Sequence, residues 1–238
     1  RNARAMAKSW EQNAPPFFRV ILSYREATEK IQDYADSLGI PAGQAIASLA
    51  AERLTFNAIA LDKTGEPIPV LQSDEGYALL FGKPTEDALQ HILTSMMRPF
   101  PAGLLTPVGL LVANPAYADE EVRSLLTKAS YHGTVVWPWH HAMLALGIAR
   151  QLRRGDISQN IRRKLLAAER SLWQLIEANR NFRTSELWSW SYKNGRYVIT
   201  PFGQYSEHKT ESNAAQLWST VFLGIPRPSS APGLETVE

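Results

Sequence analysis

The 238 residues are 45% apolar and 20% charged, a globular balance that excludes disorder and coiled coil and supplies one large domain or two small ones. The 25 basic and 23 acidic residues leave a formal charge of +2, too little to neutralise a run of phosphates, so nucleic acid is not an expected partner. No apolar run approaches the roughly 18 to 20 residues of a spanning helix, so a soluble protein with no membrane partner is expected, and the absence of cysteine excludes disulfides, thiolate zinc sites and a cysteine nucleophile.

The first clear element is a helix over 26–38, where Ala27, Ile31, Tyr34, Ala35 and Leu38 share a face and Gly39 stops the run before Pro41. A short helix over 43–53 follows. From 54 the pattern alternates in β fashion and predicts a hairpin turning at Asp62-Lys63-Thr64-Gly65. Residues 74–81 suit a short helix ending at Gly82. Thr85 then caps another, whose Ala88, Leu89, Ile92, Leu93 and Met96 lie together.

Residues 99–114 are rich in Pro and Gly and predict a loop with brief helical turns. Helices are expected over 139–153, ending at Gly155, and over 157–179, where Ile161, Leu165, Ala168, Leu172, Leu175 and Ile176 form the strongest apolar stripe. Thr210 caps a last helix over 211–223. About seven amphipathic helices in succession, with one β-hairpin and no βαβ alternation, predict a mainly α domain over 1–225 and a tail over 226–238.

Six of seven Trp and four of five His fall after residue 130, which puts any chemistry in the second half. The common nucleotide, zinc-protease, serine-hydrolase and EF-hand motifs are absent. His140 and His141 are adjacent, so on a helix they diverge by about 100° and do not converge on a metal; no metal or organic cofactor is expected.

The stretch Tyr131-His132-Gly133-Thr134-Val135-Val136-Trp137-Pro138-Trp139 puts a polar turn and two indoles in front of a helix. Such rings either pack in a core or offer flat apolar faces to a sugar while His, Asn or Gln bonds its hydroxyls. In Ser185-Glu186-Leu187-Trp188-Ser189-Trp190-Ser191-Tyr192, one carboxylate stands among alternating aromatics. Glu186 is either a surface glutamate or a general base that deprotonates a water attacking an anomeric carbon, with Trp188 as a further substrate contact. Asp74 and Glu75 are open to three roles: helix-start acids, ligands of sugar hydroxyls, or a catalytic acid. Glu207 and Glu211 have ordinary structural explanations.

AGLLTPVGLLVANPAY, YHGTVVWPWHHAML, SELW and SNAAQLWSTVFLGI occur in the order found in six-hairpin glycosidases. Over roughly residues 54–224 the chain resembles the C-terminal part of the amylo-alpha-1,6-glucosidase (glycogen debranching) type domain. The resemblance implies part of an (α/α)6 toroid acting on an oligosaccharide, with Glu186 as base and Tyr131, His132, Trp137 and Trp139 lining a glucose subsite. Ser185 stands where the family has Pro, and Val135-Val136 makes the central motif one residue longer. A toroid of twelve helices takes on the order of 350 residues, so the missing N-terminal half of the barrel is an expected partner. A non-catalytic carbohydrate-binding module, or a phosphorylase, isomerase or epimerase on the same toroid, are the alternatives.

Overall fold

The computed structural model describes residues 14–50 and 52–203, with isolated positions beyond them. The expected helix over 211–223 lies outside the described residues except at isolated positions, as does the tail. The protein is mainly helical, as expected. Among the described residues no helix is long and apolar enough to cross a membrane.

A turn of helix, α1 (Pro15–Phe18), leads into strand β1 (Arg19–Leu22) and helix α2 (Tyr24–Leu38). Ser23 and Glu26 form a reciprocal capping box at the start of α2, and Gly39 ends it in the left-handed region at φ 65°. Helix α3 is shorter than expected, Gly43–Ala47, because the chain leaves helical geometry by Ala50, which has a φ of 51°.

The hairpin expected beyond residue 54 is present only as its turn, and the strand over 54–57 pairs elsewhere. Strand β2 (Leu54–Asn57) pairs antiparallel with β1, from Arg19 opposite Asn57 to Leu22 opposite Leu54. The 62–66 segment is a tight turn in which Asp62 Oδ1 accepts from the Thr64 and Glu66 amides at 2.8 and 3.0 Å, bridged at Leu61 and Pro67. Pro67 and Pro69 lack amide donors, so the pairing is carried by the Ile68 amide on the Ala60 carbonyl at 3.0 Å and stays too short for a ladder. The longest hairpin among the described residues is β7 (Trp188–Lys193) with β8 (Arg196–Pro201), turned by Asn194 and Gly195 at φ 52° and 76°.

Between these lie strand β3 (Leu71–Gln72), a 3-10 turn (Ser73–Gly76), α4 (Tyr77–Phe81) and α5 (Glu86–Met97), which starts where Thr85 accepts from the Ala88 amide. The Pro- and Gly-rich segment holds two-residue strands rather than helical turns: β4 (Leu105–Thr106) pairs with β5 (Gly109–Leu110), and β6 (Ala113–Asn114) with β3. Buried Asn114 replaces regular structure there, donating to the Pro101 and Gly103 carbonyls at 2.7 and 2.9 Å. A short exposed helix, α6 (Glu120–Leu125), follows.

Helices α7 (Pro138–Leu152) and α8 (Gln159–Ala178) complete the core. The expected stripe on α8 is buried, from Ile161 to Ile176. Ser158 caps α8 by accepting from Ile161, and its own amide and hydroxyl donate to Glu86 at 2.5 and 2.7 Å, tying the starts of α5 and α8 together. Helix α7 runs against α4 at close range. A Cβ at Gly147 would stand 2.8 Å from Leu79 Cβ, so glycine is what lets the two backbones approach and bring the 73–77 turn to the first turn of α7.

Candidate functional site

Two backbone pairings assemble the site. The Val112 amide donates to the Val135 carbonyl at 2.8 Å, while Val136 and Trp188 exchange amide hydrogen bonds at 2.9 and 3.0 Å. The 131–137 segment thus runs between residues 111–113 and the start of β7. That arrangement brings Glu186, two residues before Trp188, to the Tyr131 side chain, and the Tyr131 hydroxyl donates to Glu186 Oε1. Glu186 is 3% exposed.

A run of rings extends from this pair. The Tyr131 ring lies 4.9 Å from Trp137 and 5.2 Å from His132, centroid to centroid. Trp137 stacks on Trp139 at 5.8 Å and meets His140 edge-on at 5.1 Å. Trp139 lies 4.2 Å from His140 and 6.0 Å from Tyr77. Val112, Val135, Leu187 and Phe202 back Trp137 in an apolar cluster separate from the main core, with Tyr131 and Trp139 packed on it. The half-buried Trp139 and the exposed His132 form its outer edge.

The second carboxylate region meets the rings through His140. His140 Nδ1 is 2.5 Å from Ser73 Oγ; its Nε2 is 3.4 Å from the Tyr77 hydroxyl and 3.7 Å from Asp74 Oδ1. Burial, then the neighbouring His141 and His132, hold the His140 pKa down at about 3, so the ring is neutral at pH 7. The tautomer with Nε2–H turns that proton toward Asp74 and leaves Nδ1 to accept from Ser73. Behind the ring, a cavity bounded by Ser73, Gly76, Tyr77, Met143 and Leu144 has room for about one water molecule.

Asp74 and Glu75 share one turn but have different surroundings. Partial burial raises the Asp74 pKa above the ordinary carboxylate value, against the opposing influence of His132, and its side chain keeps 37% of its exposure. Glu75 Oε1 accepts from Asn57 Nδ2 at 2.6 Å, while Oε2 is buried without a hydrogen-bond partner. Burial pushes its pKa up to about 7.

Tyr131, His132, Trp137, Trp139, Asp74 and Glu186 are therefore joined by contacts, with Glu75 adjoining through its turn. Trp188 is a correction to the expected substrate contacts. It is 2% exposed, its indole N–H donates to the Val108 carbonyl at 2.8 Å, and its ring packs on His141 and Phe182. His141 likewise faces inward, accepting from the Leu110 amide at 2.9 Å, and burial lowers its pKa to about 4. Among the described residues no group of three or more His, Asp or Glu could hold a metal ion. Glu207 and Glu211 lie outside the described residues.

Ser73, Tyr77, His140 and Phe202 belong to the site and were not among the expected contacts. Ser73 and Tyr77 flank the acidic pair in Ser73-Asp74-Glu75-Gly76-Tyr77, so their nearness to it was visible; their meeting with His140 depends on how α4 packs on α7. No protein-family model and no curated protein matches the chain.

Proposed function

We propose that the protein is a glycoside hydrolase of the six-hairpin type, acting on α-linked glucosyl or related oligosaccharides. The observation that carries this reading is the pair of carboxylates, Glu186 and Asp74, linked through one cluster of aromatic rings. Flat rings suit the C–H faces of a pyranose, and two carboxylates are what water-mediated glycoside hydrolysis requires.

In this mechanism the Tyr131 hydroxyl orients Glu186, which takes the proton from the attacking water. Asp74, with its raised pKa and partial exposure, protonates the leaving oxygen. Neutral His140 keeps Asp74 and the two indoles in position, since it contacts all three. Glu75, held by Asn57, supports the turn that carries Asp74. The resemblance noted above supplies the toroid, completed by a further half of the barrel, and the substrate class.

The test is a panel of α-linked glucosyl disaccharides and short oligosaccharides offered to the full-length protein, with the product followed by NMR. Release of a sugar with inverted anomeric configuration is expected. Retained configuration would contradict a water-and-base mechanism, and no release from any substrate would contradict hydrolysis.

One observation favours a second reading, a carbohydrate-binding module: Glu186 is almost fully buried. Sugar binding that persists with no turnover, and that is lost in Trp139→Ala, would select it.

A further inference from the structure

Away from the aromatic surface, the chain entering β2 and the outer face of α5 enclose a second cleft. Glu52, Arg53 and Thr55 form one wall; Gln90, His91 and Thr94 form the other, with Arg98 at the C-cap of α5. The cleft encloses about 90 Å³, room for a phosphate group with the rest of an ester lying across its open mouth.

The lining is rich in donors. Two guanidinium groups face one carboxylate, that of Glu52. Gln90 lines the cleft while its Oε1 accepts from Lys164 Nζ at 2.8 Å. Arg98 Nε is buried without a hydrogen-bond partner, a costly state for a charged donor unless an acceptor arrives. Burial also holds the Arg98 pKa below its ordinary value, against the opposing pull of Tyr117 and Glu52.

The geometry points to this cleft as a binding site for a phosphate ester of a small polyhydroxylated molecule. Arg98 and Arg53 take the phosphate, since the guanidinium fork matches phosphate oxygens and gains most where it is partly desolvated. Gln90, Thr94 and Thr55 take the hydroxyls. The proposal does not depend on the catalytic reading, because it uses different residues on a different helix.

Isothermal titration of the whole protein, at constant ionic strength, with glucose 6-phosphate, inorganic phosphate and glucose tests it. Glucose 6-phosphate is expected to bind more tightly than inorganic phosphate, and Arg53→Gln and Arg98→Gln each to weaken it by about tenfold or more. Arg53 is exposed, so Arg53→Gln keeps the test valid even where the partly buried Arg98→Gln fails to fold. Inorganic phosphate binding as tightly as the ester would overturn the hydroxyl contacts. No binding of either anion, or ester binding that Arg53→Gln leaves unchanged, would overturn the site.

Discussion

Helix α8 and the 131–140 segment handle burial in opposite ways. Along α8 the apolar stripe faces inward and the start is closed by Ser158 with Glu86, so local preference and packing agree. The 131–140 segment and its neighbours bury Glu186, His140 and one oxygen of Glu75, all groups that water would solvate better. Stability alone does not select such an arrangement. Buried ionisable groups clustered beside aromatic rings are where a chemical site is looked for, and the contrast separates the residues that hold the fold from those that the proposed function would use.

Trp188 and Trp139 give the largest expected effect on that contrast. Trp188→Ala should cost about 3 to 5 kcal/mol in urea unfolding, because it empties a core position and strips the Val108 carbonyl of its donor. Trp139→Ala should cost far less stability and weaken sugar binding instead. Equal stability losses would place both indoles in the same class.

The pH dependence of stability comes next. His140 and His141 have folded pKa values of about 3 and 4, below the ordinary 6.5, so the unfolded chain takes up protons that the folded chain refuses. Their contribution is complete above pH 6.5 and is lost as the pH falls through about 4 for His141 and about 3 for His140. Glu75 acts in the other direction: its folded pKa of about 7, raised from 4.5, favours the folded state below 4.5, and that advantage fades as the pH rises to 7. Between pH 4.5 and 6.5 two protons oppose one, so stability should rise with pH by about 1.4 kcal/mol per unit at most. The raised pKa of Asp74 flattens the lower end of that window. Urea unfolding at pH 5 and pH 6.5 measures it, and a flat profile would contradict the neutral, buried histidines.

Ser158→Ala gives the smallest effect. Loss of the cap and of the Glu86 contact should cost about 1 kcal/mol and leave the aromatic surface unaltered. A change in sugar binding in this variant would show that the two regions are coupled.

The legible parts of the chain were those whose signals are local. The face and the Gly39 stop of the helix read over 26–38, the Thr85 cap and the α8 stripe are each set within one turn of the residues concerned. The pairing of β1 with β2 joins segments more than thirty residues apart and leaves no local mark, so the alternation after residue 54 showed the turn at 62–65 but not the partner of 54–57. The β7–β8 hairpin was a missed local signal: Asn194-Gly195 between alternating aromatics is a strong turn marker, and the concentration of Trp drew the reading toward a binding cluster. At the site, Tyr131, His132, Trp137, Trp139 and Glu186 were visible as residue types. The roles of Ser73 and Tyr77 rest on the close approach at Gly147, which no short pattern encodes.

The most direct measurement is the rate of hydrolysis of an α-linked glucosyl oligosaccharide by the full-length protein and by Glu186→Gln, with sugar binding measured in parallel. The account predicts a loss of about a thousandfold in turnover with binding retained, because only the proton acceptor has been removed. A loss of only a few-fold would contradict it and take Glu186 out of the reaction.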